Sequence, residues 1–369
     1  MRRFPLVAAA LAAPLLLANA AAPGGEPPGS ARALDRLDGF VEGVAAAGQF
    51  SGVVLVAVDG TVRFEKAYGE RDEAREGPLI TGTRFDIASA GKMFAVTAIL
   101  QQVAQGRLAL DTRLGEVIED YPNEAMRAVT VRQLLTHTAG AGDADAMFYP
   151  GLLAWQGRTP AVAEIVALYG GRAPAHVPGA EQVYGNHAMM LLGRMVELLS
   201  GESYRHYVAA RIFEPAGMDA AHADAPCDPA DAGQAVGYAL RGEERVPNCF
   251  MVLDGGWPAG GQSFTARDML RFVEALRSGR LGVPRPLFEE AIRPRRNGFG
   301  LGFFATDYGE GWLPRDLRWG HGGKLDGQCV DVRRYEATGE TIVVLGNNDS
   351  PACYAIAGFL HRDWRTRAE

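Results

Sequence analysis

Lysine is the residue this chain almost does without. Of its 37 basic residues only three, Lys66, Lys92 and Lys324, are lysine, and the rest are arginine. Cysteine is nearly as scarce, four in 369 residues, and none stands in a C-x-x-C spacing, which argues against zinc or dithiol redox chemistry. No long basic run occurs and the formal charge is −7 at pH 7, so nucleic-acid binding has no electrostatic support. The longest apolar stretch, Phe4 to Leu17, is short of the ~20 residues a spanning helix needs. The G-x-S-x-G elbow, the H-E-x-x-H helix and the Walker loop are also missing. These absences point to an enzyme or binding protein for small molecules, with no metal and no cofactor.

What is present begins with "MRRFPLVAAALAAPLLLANA", a basic start, an apolar core and a small-residue ending at Ala18-Asn19-Ala20. Residues 1–20 read as a cleaved signal peptide, which predicts a periplasmic or secreted protein with no stable membrane anchor. Residues 21–30 form a flexible Pro/Gly-rich lead-in. Export permits disulfides, and Cys227, Cys249, Cys329 and Cys353 allow three pairings. Nearest-neighbour pairing would close two loops, each adding roughly 3 kcal/mol in the chain-entropy model; buried free thiols are the other reading.

Leu34, Leu37, Phe40, Val41 and Val44 recur at helical spacing. Two β-rich runs follow, joined by Asp59-Gly60, the strongest short hairpin signal. From Ser89 to about Gly106 the pattern is helical and apolar. "VTVRQLLTHTAG" predicts a helix capped by Thr130 and stopped at Gly140; His187 to Gly201 predicts a buried helix. Thr265 and Asp268 stand in capping-box spacing ahead of a helix ending at Gly279. Four strand-like runs, "FGLGFFATD", "LRWGHGG", "GQCVDVRRY" and "ETIVVLGNN", precede a closing helix, with the last two paired across 336–339. The expected fold is α+β over residues 31–369. Its antiparallel sheet is built from both chain ends (about 31–105 and 250–369) and flanked by helices, with a mostly helical part at about 106–249.

One lysine has a chemical reason to be lysine. In Ser89-Ala90-Gly91-Lys92 the hydroxyl and the amine are three residues apart and share a helix face. A serine needs a base to become a nucleophile, and a lysine of lowered pKa can serve, whereas a guanidinium stays protonated. A helix N-terminus at Ser89 would add N–H groups for a developing oxyanion. Tyr184-Gly185-Asn186 could present a phenol and an amide to the same pocket, and His321-Gly322-Gly323 closes a strand where glycines permit close backbone approach. His137 reads as structural, at the end of its helix; "GGWPAGGQS" reads equally as a site rim or a surface loop.

In this order the three motifs resemble the serine β-lactamase and penicillin-binding-protein superfamily, in its class C-like branch of peptidases and esterases. "FDIASAGKMF", "VTVRQLLTHTAG", "IFEPAGM" and "PAGGQSFTARDMLRF" resemble the same family. The resemblance implies Ser89 as acylated nucleophile, Lys92 as its proton acceptor or shuttle and Tyr184 as partner acid/base. It implies Asn186 as an orienting and substrate-binding amide, and the backbone N–H groups of Ser89 and Lys324 as the oxyanion hole. His321 and Gly322 stand where a β-lactamase has a lysine and a hydroxyl residue that hold the substrate carboxylate. That substitution tilts the expectation from β-lactam hydrolysis, at most weak, towards an esterase or D-amino-acid peptidase. The small-molecule partner would be an ester, amide or peptide; the alternative is an acceptor acylated at Ser89 without turnover. Gly91 departs from the usual Ser or Thr.

Overall fold

A computed structural model describes residues 29–72, 75–141, 160–219, 228, 231, 233–241, 244–247, 256–307, 317–348 and 350–361. Residues 1–20, where a signal peptide is expected, and Cys227 and Cys249 lie outside the described residues. The fold is α+β, built on a six-stranded sheet in which every neighbouring pair is antiparallel. We label its strands β1 (Gly52–Val58), β2 (Thr61–Tyr68), β3 (Phe304–Asp307), β4 (Leu317–Leu325), β5 (Gln328–Tyr335) and β6 (Glu340–Gly346). The order across the sheet is β2-β1-β6-β5-β4-β3, so the first strands of the chain pair with the last.

The Asp59-Gly60 hairpin forms as expected, with φ of 46° and 76°. Two left-handed residues give the turn whose twist matches its strands. β1 is buried on both faces, which is why it reads as an unbroken apolar run. Val53, Leu55 and Ala57 face one core, and Val54 and Val56 face the other. The smaller core is covered by helices α1 (Ala31–Ala46), with Leu34, Leu37 and Val41 inward, and α5 (Ala352–Ala357). A disulfide joins Cys329 of β5 to Cys353 of α5, settling one of the expected pairs.

The larger core holds α2 (Lys92–Ala104), α3 (Asn186–Ser200) and α4 (Ala266–Arg277). Thr265 and Asp268 cap α4 reciprocally, and Gly201 ends α3 in the left-handed region at φ 74°. Phe94 of α2 meets Phe213, Phe264 and Phe272 edge-on at centroid distances of 4.9, 5.7 and 4.8 Å, which fixes the helix that begins with Lys92.

Two expectations need correction, and a third, the mostly helical middle, gains one strand pair. The helix after Thr130 spans only Val131–Leu135, because His137 turns left-handed (φ 55°) three residues before Gly140. Only Phe304–Asp307 of the "FGLGFFATD" run is strand; Gly302, at φ 73°, breaks the extended path before it. The middle of the chain also carries a hairpin, Tyr238–Arg241 with Glu244–Pro247. Among the described residues no helix is long and apolar enough to cross a membrane.

Candidate active site

The short strand Phe85–Asp86 pairs with Ser263–Phe264 and delivers the chain into a tight turn. Asp86 Oδ1 accepts from the Ala88 N–H at 2.6 Å, and Ala88 is held at φ 46°, costly for a residue with a Cβ. Ser89 therefore sits in a 3-10 turn, Ala88–Gly91, that runs into α2. Burial pushes the Asp86 carboxyl up to about 7.

Lys92 is wholly buried, and its Nζ lies within hydrogen-bond distance of Ser89 Oγ at 3.0 Å, Asn186 Oδ1 at 2.6 Å and Ala259 O at 2.7 Å. Two of these are carbonyl oxygens, which only accept. They take two N–H bonds of the amine whatever its charge. The third position faces a hydroxyl, which can accept from an ammonium or donate to a neutral amine. A proton can thus move between Oγ and Nζ without either carbonyl being left unpaired.

The Tyr184 ring lies over this amine, with Nζ 5.0 Å from its centroid. His137, His321 and Phe299 surround the same ring at 4.6, 6.1 and 6.2 Å. Ser89, Lys92, Tyr184, Asn186 and His321 therefore converge, from one turn, two helix starts and one strand.

The charge of His321, open in the sequence, has a physical answer. Burial, reinforced by the Lys92 charge, pushes its imidazole down to about 3, so it is neutral across physiological pH. Its Nδ1 donates to Gly322 O at 2.5 Å, Phe304 stacks on it at 4.1 Å, and the buried Nε2 has no hydrogen-bond partner among the described residues. No cation occupies the place of the usual lysine.

Gly323 must be glycine. An added Cβ would lie 2.8 Å from Ile87 O and 2.9 Å from Ser89 N. We expect Gly323→Ala to displace the Ser89 turn, lower kcat/KM by about 10²-fold and lower the melting temperature by a few degrees, read by ester turnover beside thermal unfolding; wild-type turnover would contradict this packing. Gly322 is tighter than ordinary too, 3.1 Å from Tyr354 Cε1 for an added Cβ. Lys324 keeps its side chain exposed, opposite Cys329 in the ladder. β3 pairs with β4 only over Leu317–Gly320, so the edge from His321 to Leu325 has no strand partner among the described residues.

Sequence reading missed Ala259, whose contribution is a backbone carbonyl. Its glycine-rich surroundings were the available signal. An added Cβ on Gly260 would lie 2.2 Å from Ala88 O, and Gln262 O accepts from the Ile87 N–H at 2.9 Å, so this segment packs on the nucleophile turn. The same segment explains Gly91, whose added Cβ would lie 2.2 Å from Gln262 Oε1.

The family model described as Beta-lactamase matches residues 37–361. The chain belongs to the beta-lactamase family. It is a serine hydrolase of that family. A penicillin-binding protein of Bacillus subtilis is 27% identical over 325 residues, 83% of this chain and 70% of its own. A D-aminopeptidase of Cereibacter sphaeroides is 30% identical over 350 residues, 89% of this chain, which spans only 61% of that protein. Esterase EstB of Burkholderia gladioli is 28% identical over 290 residues, 70% of this chain and 72% of its own. Among solved structures, a penicillin-binding protein of Bacillus halodurans superposes with a TM-score of 0.73 at 25% identity, covering 87% of this chain and 98% of that one.

Proposed function

We propose that this beta-lactamase-family protein, after export, hydrolyses esters or D-amino-acid amides and peptides through an acyl-enzyme on Ser89. The observation that carries the reading is the Lys92 amine, committed to two carbonyls with its third position on Ser89 Oγ. In its neutral form the amine takes the Oγ proton as oxygen bonds to the substrate carbonyl carbon. The N–H groups of Ser89 and Lys324 steady the resulting oxyanion. Collapse breaks the bond to the leaving alcohol or amine, which takes a proton from the Lys92–Tyr184 pair. Water then attacks the acyl group and regenerates Ser89. Asn186 holds Lys92 in place and offers its amide N–H to the substrate.

A neutral His321 favours substrates without a carboxylate at that end, in line with the esterase and D-aminopeptidase relatives. A charge-assisted bond to a carboxylate would be absent, so nitrocefin should turn over about 10- to 100-fold more slowly than the best ester or D-alanine amide. A panel of p-nitrophenyl esters, D-alanine amides and nitrocefin, run on the mature protein and on Ser89→Ala, tests this. Turnover lost in Ser89→Ala supports the hydrolase. A stable Ser89 adduct in intact-mass spectra, with no turnover of any substrate, would make the protein an acceptor instead.

A further inference from the structure

His137 has more to do with Tyr184 than its place at a helix end suggests. It is 2% exposed and adopts φ 55°, a conformation that strains a residue with a Cβ. Its backbone carbonyl accepts from the Val183 N–H at 2.9 Å. Its ring Nδ1 accepts from the Gly185 N–H at 3.4 Å. One residue therefore holds the chain immediately before and immediately after Tyr184, and its imidazole packs on the Tyr184 ring at 4.6 Å between centroids.

The neighbouring turn residues hold the same segment further from Tyr184. Thr136 O accepts from Gln182 Nε2 at 3.1 Å, and Thr138 O accepts from the Gly179 N–H at 2.7 Å. A helix continued to Gly140 would turn the His137 carbonyl into the helix ladder and away from Val183. The left-handed turn is what frees it. Choice of side chain follows the same logic. An apolar ring would spare the fold the buried Nε2, which has no hydrogen-bond partner among the described residues, but it would offer no acceptor to the Gly185 N–H, as the imidazole does. Burial and the Lys92 charge push His137 down to about 3, so the ring is neutral, and the Gly185 N–H selects the tautomer whose Nδ1 carries the lone pair.

We propose that His137 is a positioning residue that fixes the Tyr184 ring over the Lys92 amine by clamping the peptides on either side of it. The proposal rests on the reading that Tyr184 takes part in the reaction. His137→Gly is the informative variant: glycine adopts the left-handed turn without strain and keeps the carbonyl clamp, while the ring is lost. His137→Asn tolerates the turn and restores a side-chain acceptor.

We expect His137→Gly to lower kcat of ester turnover by about 10²-fold with KM within a few-fold of wild type, and His137→Asn to recover most of that loss. Added to Tyr184→Phe, His137→Gly should cost nothing further, since it acts through a phenol no longer there. Losses that multiply in the double variant, an Asn variant no better than Gly, or wild-type kcat in His137→Gly would each overturn the proposal. The 13Cζ resonance of labelled Tyr184, identified by its absence in Tyr184→Phe, should shift in His137→Gly and return in His137→Asn. That readout separates the two readings. Full activity in Tyr184→Phe would remove the phenol from the mechanism, while an unmoved resonance would remove His137 as its holder.

Discussion

Lys92→Arg is expected to lose about 10³-fold or more in kcat/KM although the formal charge is unchanged. The wild-type amine is a compact donor, fully buried, with Asn186 Oδ1, Ala259 O and Ser89 Oγ all within 3.0 Å. A guanidinium could satisfy carbonyl oxygens equally well. It could not accept the Ser89 proton, because it stays protonated at every pH at which the protein is folded. It is also planar and larger, and a wholly buried position has no free volume for it. Both effects act against the variant, so retained activity is the outcome that would speak against the base role. The check is ester turnover together with the rate at which a fluorophosphonate labels Ser89. Labelling as fast as wild type in Lys92→Arg would leave Lys92 as a tether only.

Local chemistry made much of this legible beforehand. A capping box such as Thr265 with Asp268, or a hairpin turn such as Asp59-Gly60, is decided by a few adjacent residues, and both appear where their spacing puts them. Ser89 and Lys92 were legible for the same reason, since three residues of helix fix their relation. What stayed hidden depends on distant chain. Ala259 acts through a carbonyl that any residue could supply, and it reaches Lys92 only because the Trp257–Gly260 turn folds onto the Ala88 turn. The charge of His321 depends on burial among residues from several strands and helices, which a single line of sequence does not display. His137 was read as an ordinary helix end because nothing local announces a left-handed histidine; the peptides of Val183 and Gly185 that hold it are about 46 residues further along the chain.

Acid should unfold this protein sharply, because three of its histidines are buried without charge. Burial pushes His137 and His321 down to about 3 and His187 down to about 4, from an ordinary 6.5. The unfolded chain takes up these protons as pH falls below 6.5, whereas the folded chain refuses them until near 4 or lower. Stability from these groups is complete above about pH 6.5 and drains away on the acid side. Each group contributes about 1.4 kcal/mol per pH unit across that window, so three together reach about 4. Asp86, raised to about 7, works in the opposite direction: folded, it keeps its proton between 3.8 and 7, so acid favours the fold there by about 1.4 kcal/mol per unit. Asp331, raised by burial beside Arg333, opposes the histidines in the same sense. The histidines outnumber the two carboxyls, and a net loss of even about 1.4 kcal/mol per unit over two units is a large part of an ordinary folding free energy. His187 lies against Tyr121 and Tyr169 and directly follows Asn186, so its variant is read for stability and not for turnover. Urea midpoints measured between pH 4.5 and 7 should fall steeply with acid in the wild type and less steeply in His187→Gln. They should fall more steeply in Asp86→Asn, which keeps the acceptor for the Ala88 N–H and discards the opposing proton. Midpoints that stay level across this range even in Asp86→Asn, where the main opposing proton is gone, would mean that the imidazoles are charged in the folded protein, and with that the neutral, buried His321 of the site would be lost.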